Sequence, residues 1–309
     1  MFINNKIKEF FMVVDSLKGE LVKFNTKDQV ELQGFLCSYK KSKTALVHVH
    51  GMTSSLWSGT GMQMQEVAFK SKISFFSFNN RGLGGVNFFS GKKYGVYGTS
   101  YEKFKDCLDD IGGAISFLKK KGYKNFILSG HSTGCQKVAY YMASRNDKSV
   151  KAIILLAPAD DLNYEKKRHG GKFYHYLKCA KRLVDSKKGD VILPKYISEY
   201  LFSAKRYYDL YKDNSLEGNI FNYEKPIKII GKIKVPILAI FGKDEEFKVI
   251  SPDEMLDKID EEFRIDYSET NLINGNHTFS GARQELIKEV SYWVNWYIVG
   301  KNGILRGKR

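Results

Sequence analysis

The chain has 309 residues, 43% hydrophobic and 14% aromatic, which supplies a sizeable core and excludes a disordered chain. Its 27 glycines and five prolines exclude collagen-like or linker-dominated architecture. Lys and Arg number 50 against 34 Asp and Glu, a net charge of +16; because lysines occur in every segment, we read them as a solvated surface rather than a nucleic-acid footprint.

Four widely spaced cysteines, Cys37, Cys107, Cys135 and Cys179, contain no CxxC pair. They fit neither a disulfide scaffold nor a zinc site and are read as reduced thiols. The N-terminal stretch MFINNKIKEFFMVVDSLKGE has lysines and a short apolar patch. Lys8 and Glu9 break that patch, however, and no small-residue cleavage site follows. No apolar run reaches the roughly 18 residues that span a bilayer, so a soluble, cytoplasmic protein without a transmembrane segment is expected.

In chain order, GELVKFN, VELQGFLCSYK and TALVHVHG read as three strands of an antiparallel meander. A helix around Gln63–Lys70 leads into ISFFSFNN, a nearly continuous apolar run of the kind a buried strand requires. Then come a Gly-rich loop, a helix over Tyr101–Lys121, the strand NFILSGHS, a helix near Gly134–Ser144, the strand VKAIILLAP and, much later, PILAIFG. Strands alternating with helices predict parallel βαβ units, an α/β fold with helices on both faces. The alternation stops over residues 161–225, a Tyr- and Lys-rich helical insertion between two core strands that is placed to roof a site as a cap. Residues 1–160 and 226–309 form the core, ending in a strand near Phe263–Tyr267, a loop and a helix over Arg283–Ile298.

The chemistry concentrates in Gly130-His131-Ser132-Thr133-Gly134, a G-x-S-x-G pattern directly after an apolar strand and directly before a helix. A sharp strand-to-helix turn there projects the Ser132 hydroxyl above the sheet and aims the helix amides at developing negative charge. A serine needs a base. Of His48, His50, His131, His169, His175 and His277, the last lies at the carboxyl edge of the sheet in NLINGNHTF, read as a loop. His131 is expected to point away along the elbow, and His48 and His50 share a strand face without a third metal ligand. For the carboxylate that orients the base, Asp244 in GKDEEF fits the strand-then-turn position ahead of Glu245, Glu246 and Asp253. The backbone amides of Met52 and Thr133 are the expected oxyanion donors. Arg81-Gly82-Leu83-Gly84-Gly85 opens no helix and has no ribose-binding acid, and GVNFFSGKK lacks P-loop spacing, so no nucleotide cofactor, other cofactor or metal is expected.

Strand-HG, NNRGLG, GHSTG, GKDEEF and NGNHTF, in the chain order Ser…Asp…His, resemble the α/β-hydrolase superfamily over about residues 20–299, and GHSTGCQ is similar to a subgroup that includes fungal siderophore esterases. HGM stands where many lipases have HGGG. The resemblance implies a serine carboxylic-ester hydrolase using Ser132, Asp244 and His277 on a small-molecule ester of short, medium or aromatic acyl chain. Thioesterase, peptidase or amidase and acyltransferase chemistry would use the same parts, and a non-catalytic binding protein on a hydrolase scaffold is the alternative of another class. Tyr164, Tyr174, Tyr176, Tyr196, Tyr200, Tyr207, Tyr208 and Tyr211 of the insertion supply either substrate surface or its own packing, and Lys166, Lys167, Arg168 and Lys172 read as a solvated face ahead of a surface that attracts an acidic substrate.

Overall fold

The computed structural model describes residues 19–92, 94–300 and 303–306; residues 1–18, most of the stretch weighed as a leader, lie outside them. Eight strands form one sheet in the order β1 (Glu20–Asn25), β2 (Glu31–Cys37), β4 (Ser74–Phe78), β3 (Thr44–Val49), β7 (Asn125–His131), β8 (Val150–Leu156), β9 (Ile237–Asp244), β10 (Glu269–Asn276). β1–β2 and β2–β4 pair antiparallel, and every later pair is parallel. The expected meander of the first three strands does not form: β3 lies between β4 and β7. β3 is buried at all six positions and so belongs in the middle of a sheet covered on both faces, whereas β2 alternates and suits the outer part. A separate hairpin, β5 (Asn87–Phe89) and β6 (Gly95–Tyr97), follows the RGLGG loop.

Helix α1 (Gly59–Lys70) packs on α8 (Arg283–Trp293), and α2 (Cys107–Lys120) packs on α3 (Thr133–Arg145). α7 (Pro252–Asp260), opened by a Ser251/Glu254 capping box with Pro252 in its first turn, rests on β9 and β10. The strand expected near Phe263–Tyr267 is a turn, and NLING belongs to β10. This edge strand is only half-buried and polar, so it lacks the apolar run that marks its neighbours. Between β8 and β9 lie α4 (Asp161–His169), α5 (Phe173–Asp185) and α6 (Ala204–Tyr211). They enclose an apolar cluster of their own around Leu162, Phe173, Phe202, Tyr207 and Leu210, against which Met52 and Tyr200 pack. Residues just past the C-terminal ends of β3, β7 and β10 share a cavity with Asp161 and Tyr200 of this stretch.

Candidate active site

β7 runs buried into Ser132, whose backbone sits at φ 53° and ψ −128°, and α3 begins at the next residue. A non-glycine residue there is strained by roughly 1–3 kcal/mol, and the surroundings hold it in place. The Ser132 amide donates to Leu156 O on β8 at 2.9 Å, and Cys135 N returns to Ser132 O at 2.8 Å. The flanking glycines are obligatory: a Cβ on Gly130 would stand 2.4 Å from Gly134 O, and one on Gly134 would stand 2.2 Å from Val49 O. A Cβ on Gly51 would likewise meet His131 O at 2.8 Å, so the end of β3 closes tightly on the elbow.

His277 follows β10 directly. A register shift between Ile273 and Asn276, with Gly275 at φ 113°, bends the strand end toward β9. The approach depends on Gly242, where a Cβ would lie 2.3 Å from Gly275 O. The carboxylate on His277 is Glu245, not Asp244. Glu245 Oε1 and Oε2 lie 2.8 and 3.0 Å from His277 Nδ1, and Phe247 N donates to Oε1 at 2.9 Å. Asp244 is still in the strand, registered against Asn276, and its side chain is exposed. The chain turns inward only at the next residue, and the extra methylene of glutamate spans the distance. Glu246 also acts on this histidine, accepting from the His277 backbone amide at 2.7 Å.

His131 does not point away. Its Nε2–H donates to His277 O at 2.8 Å, the rings lie 5.0 Å apart, and Phe247 meets the His277 ring edge-on at 4.6 Å. Burial and the neighbouring His277 pull the His131 pKa down to about 3, so it is neutral. His50 is fully buried; Nδ1–H donates to Gly51 O at 2.8 Å and Nε2 accepts from Asn80 N at 3.1 Å. In a trans peptide the N–H points opposite the C=O, so fixing the Gly51 carbonyl also fixes the direction of the Met52 amide. His48 Nδ1 meets Ser129 Oγ at 2.8 Å, and His169 Nε2 donates to Ile197 O at 2.7 Å.

Ser132, His277, Met52 and Thr133 line one cavity of about 320 Å³, together with Asp161 and Tyr200 from the insertion. Of the other insertion tyrosines, Tyr207 and Tyr211 are buried in its own cluster, Tyr164 packs on Phe247, and Tyr174 and Tyr196 are exposed. The local sequence carried no marker for His131, Asp161 or Phe247; the adjacent acids of GKDEEF were the one available sign of Glu245 and Glu246.

A mostly parallel eight-stranded sheet, helices on both faces, and a strained serine between β7 and α3 define the α/β-hydrolase fold. The chain belongs to the family described as a protein of unknown function, DUF1749, which matches residues 12–295. Among solved structures it is similar to an esterase of Pyrococcus furiosus, with 17% identity, 90% of this chain and 91% of that one covered, and a TM-score of 0.59. It is also similar to Est1E from Butyrivibrio proteoclasticus with ferulic acid bound, at 15% identity, 88% and 97% coverage and TM-score 0.60. A third likeness is to mouse alpha/beta hydrolase domain-containing protein 10, at 16% identity, 89% and 98% coverage and TM-score 0.57. Among curated proteins no match is found. No helix among the described residues is long and apolar enough to cross a membrane.

Proposed function

We propose that the protein is a serine ester hydrolase working through an acyl-enzyme, with Ser132 as nucleophile, His277 as base and Glu245 in place of the expected Asp244. The observation that carries this reading is the strained Ser132 sharing a cavity with His277, whose Nδ1 is held by a buried carboxylate. Ser132 Oγ attacks the acyl carbon while His277 Nε2 takes its proton and passes it to the leaving alcohol; water then repeats the sequence to release the acid. Glu245 holds the Nδ1–H tautomer and stabilises the imidazolium. The oxyanion falls to Met52 N–H, aimed by His50, and Thr133 N–H, which as the first residue of α3 has no acceptor within its helix. The cavity volume and the Tyr200 and Phe247 rings favour short, medium or aromatic acyl chains. Esterases among the similar folds and the GHSTGCQ likeness to siderophore esterases support ester over amide chemistry. The insertion acts as the cap, and the four free cysteines suit a reducing, cytoplasmic setting.

A fluorophosphonate probe with peptide mapping tests the reading. Label on Ser132 that disappears in Ser132→Ala is expected, and folded protein that takes no label overturns it. A series of p-nitrophenyl esters should give the highest kcat/KM at short to medium chains; turnover confined to long-chain emulsions would exclude the proposed substrate range.

A further inference from the structure

The catalytic cavity lacks the cations that cover the rest of the chain. Against a net charge of +16, no lysine or arginine is found among the described residues that line it, while Asp161 contributes a carboxyl. Asp161 opens α4, and Gln136, four residues past the nucleophile on α3, fixes it: Gln136 Nε2 donates to Asp161 Oδ2 at 2.8 Å and to Ala159 O at 2.9 Å. This gives the glutamine of GHSTGCQ a use the hydrolytic steps leave open. Tyr200 and Phe247 line the same cavity. A carboxyl and aromatic side chains in a partly desolvated pocket are the groups that hold an organic cation, through charge and the ring quadrupole.

We propose that the substrate is an ester bearing an ammonium group, protonated or quaternary, held by Asp161 with Tyr200 and Phe247; its turnover rests on the hydrolase reading above, its binding does not. Burial, then the nearby Glu217 and Asp160, push the Asp161 carboxyl well above the usual range. An arriving cation favours the ionised form, as Arg206 already does from behind the cavity wall, whereas an anionic ester meets a carboxyl and no lysine or arginine in the lining. The surface lysines therefore do not announce an acidic substrate.

The test compares the p-nitrophenyl ester of trimethylammoniobutyrate with its carbon isostere, in which carbon replaces the quaternary nitrogen, and with the anionic hemiglutarate. The wild-type protein should favour the cationic ester over the isostere by about tenfold in kcat/KM, and in Asp161→Asn that ratio should fall toward one. Equal turnover of the two by the wild type, or a preference for the hemiglutarate, overturns the proposal. Because Asp161→Asn alters a half-buried site, a second measurement uses the unmodified protein: tetramethylammonium should slow fluorophosphonate labelling of Ser132, and tert-butanol at the same concentration should not. Equal effects of the two count against the proposal. If Ser132 takes no label the hydrolase reading fails alone, and calorimetry with tetramethylammonium decides this one: binding supports it and no heat of binding refutes it.

Discussion

Glu245 and Asp244 differ by one position in the chain and by one methylene, yet only Glu245 reaches His277. Glu245→Gln should lower kcat toward p-nitrophenyl butyrate by about 10⁴-fold, because the amide no longer fixes the base tautomer, whereas Asp244→Asn should leave kcat within about twofold. The choice was not legible in GKDEEF, since it depends on where β9 ends against the bulged β10, a pairing of distant segments. Ser132 was legible because its requirements are local: two glycines, a strand before and a helix after. The strain at Ser132 also has a measurable cost. Ser132→Gly should abolish activity and raise stability by about 1 kcal/mol in urea melts, since glycine adopts φ 53° without penalty. His50 carries a pH signature. Burial first and Lys137 next bring its pKa down to about 3. The unfolded chain binds this proton near pH 6.5 and the folded protein does not until about 3, so His50 removes stability as pH falls between those values. One such group contributes a slope of about 1.4 kcal/mol per pH unit. His50→Gln should be less stable at pH 8 but lose less on acidification, as measured by urea midpoints across pH.

The elements that carry the site meet through glycines rather than side chains. The start of α3 lies so close to the end of β3 that Gly134→Ala would place a methyl 2.2 Å from Val49 O. Backbone must then move, and the variant should lose more than about 2 kcal/mol and most of its activity together, as seen in melts and rates on the same sample. The buried strands β4, β7, β8 and β9 could be read from their apolar runs, whereas β3 reads as a strand of the antiparallel meander. The order β2-β4-β3 and the polar edge strand β10 could not, because burial on both faces and edge position are properties of the assembled sheet. The insertion was marked by the break in strand–helix alternation, but which of its tyrosines face the cavity depends on how α4 and α6 pack.

Across the molecule, a chain of buried charges links the core to the insertion. Lys137 Nζ on α3, fully buried, lies 2.5 Å from Glu102 Oε1 and 3.1 Å from Asn80 Oδ1, and Asn80 in turn bonds His50. Glu102 Oε2 lies 3.6 Å from Arg206 Nη2 on α6, and Arg206 is held bidentately by Glu217. Removing one member leaves a dry, uncompensated ion, so Lys137→Met should cost about 3–5 kcal/mol in urea-unfolding free energy, and Lys137→Met combined with Glu102→Leu should cost less than that single change.

The same linkage bears on how a water-insoluble ester would be handled. Swinging α6 away would separate Arg206 from Glu102, an ion pair that bridges the insertion and the core, and this opposes a flap that opens at an oil–water boundary. Rates on a sparingly soluble ester should therefore rise smoothly through its critical micelle concentration, with no jump.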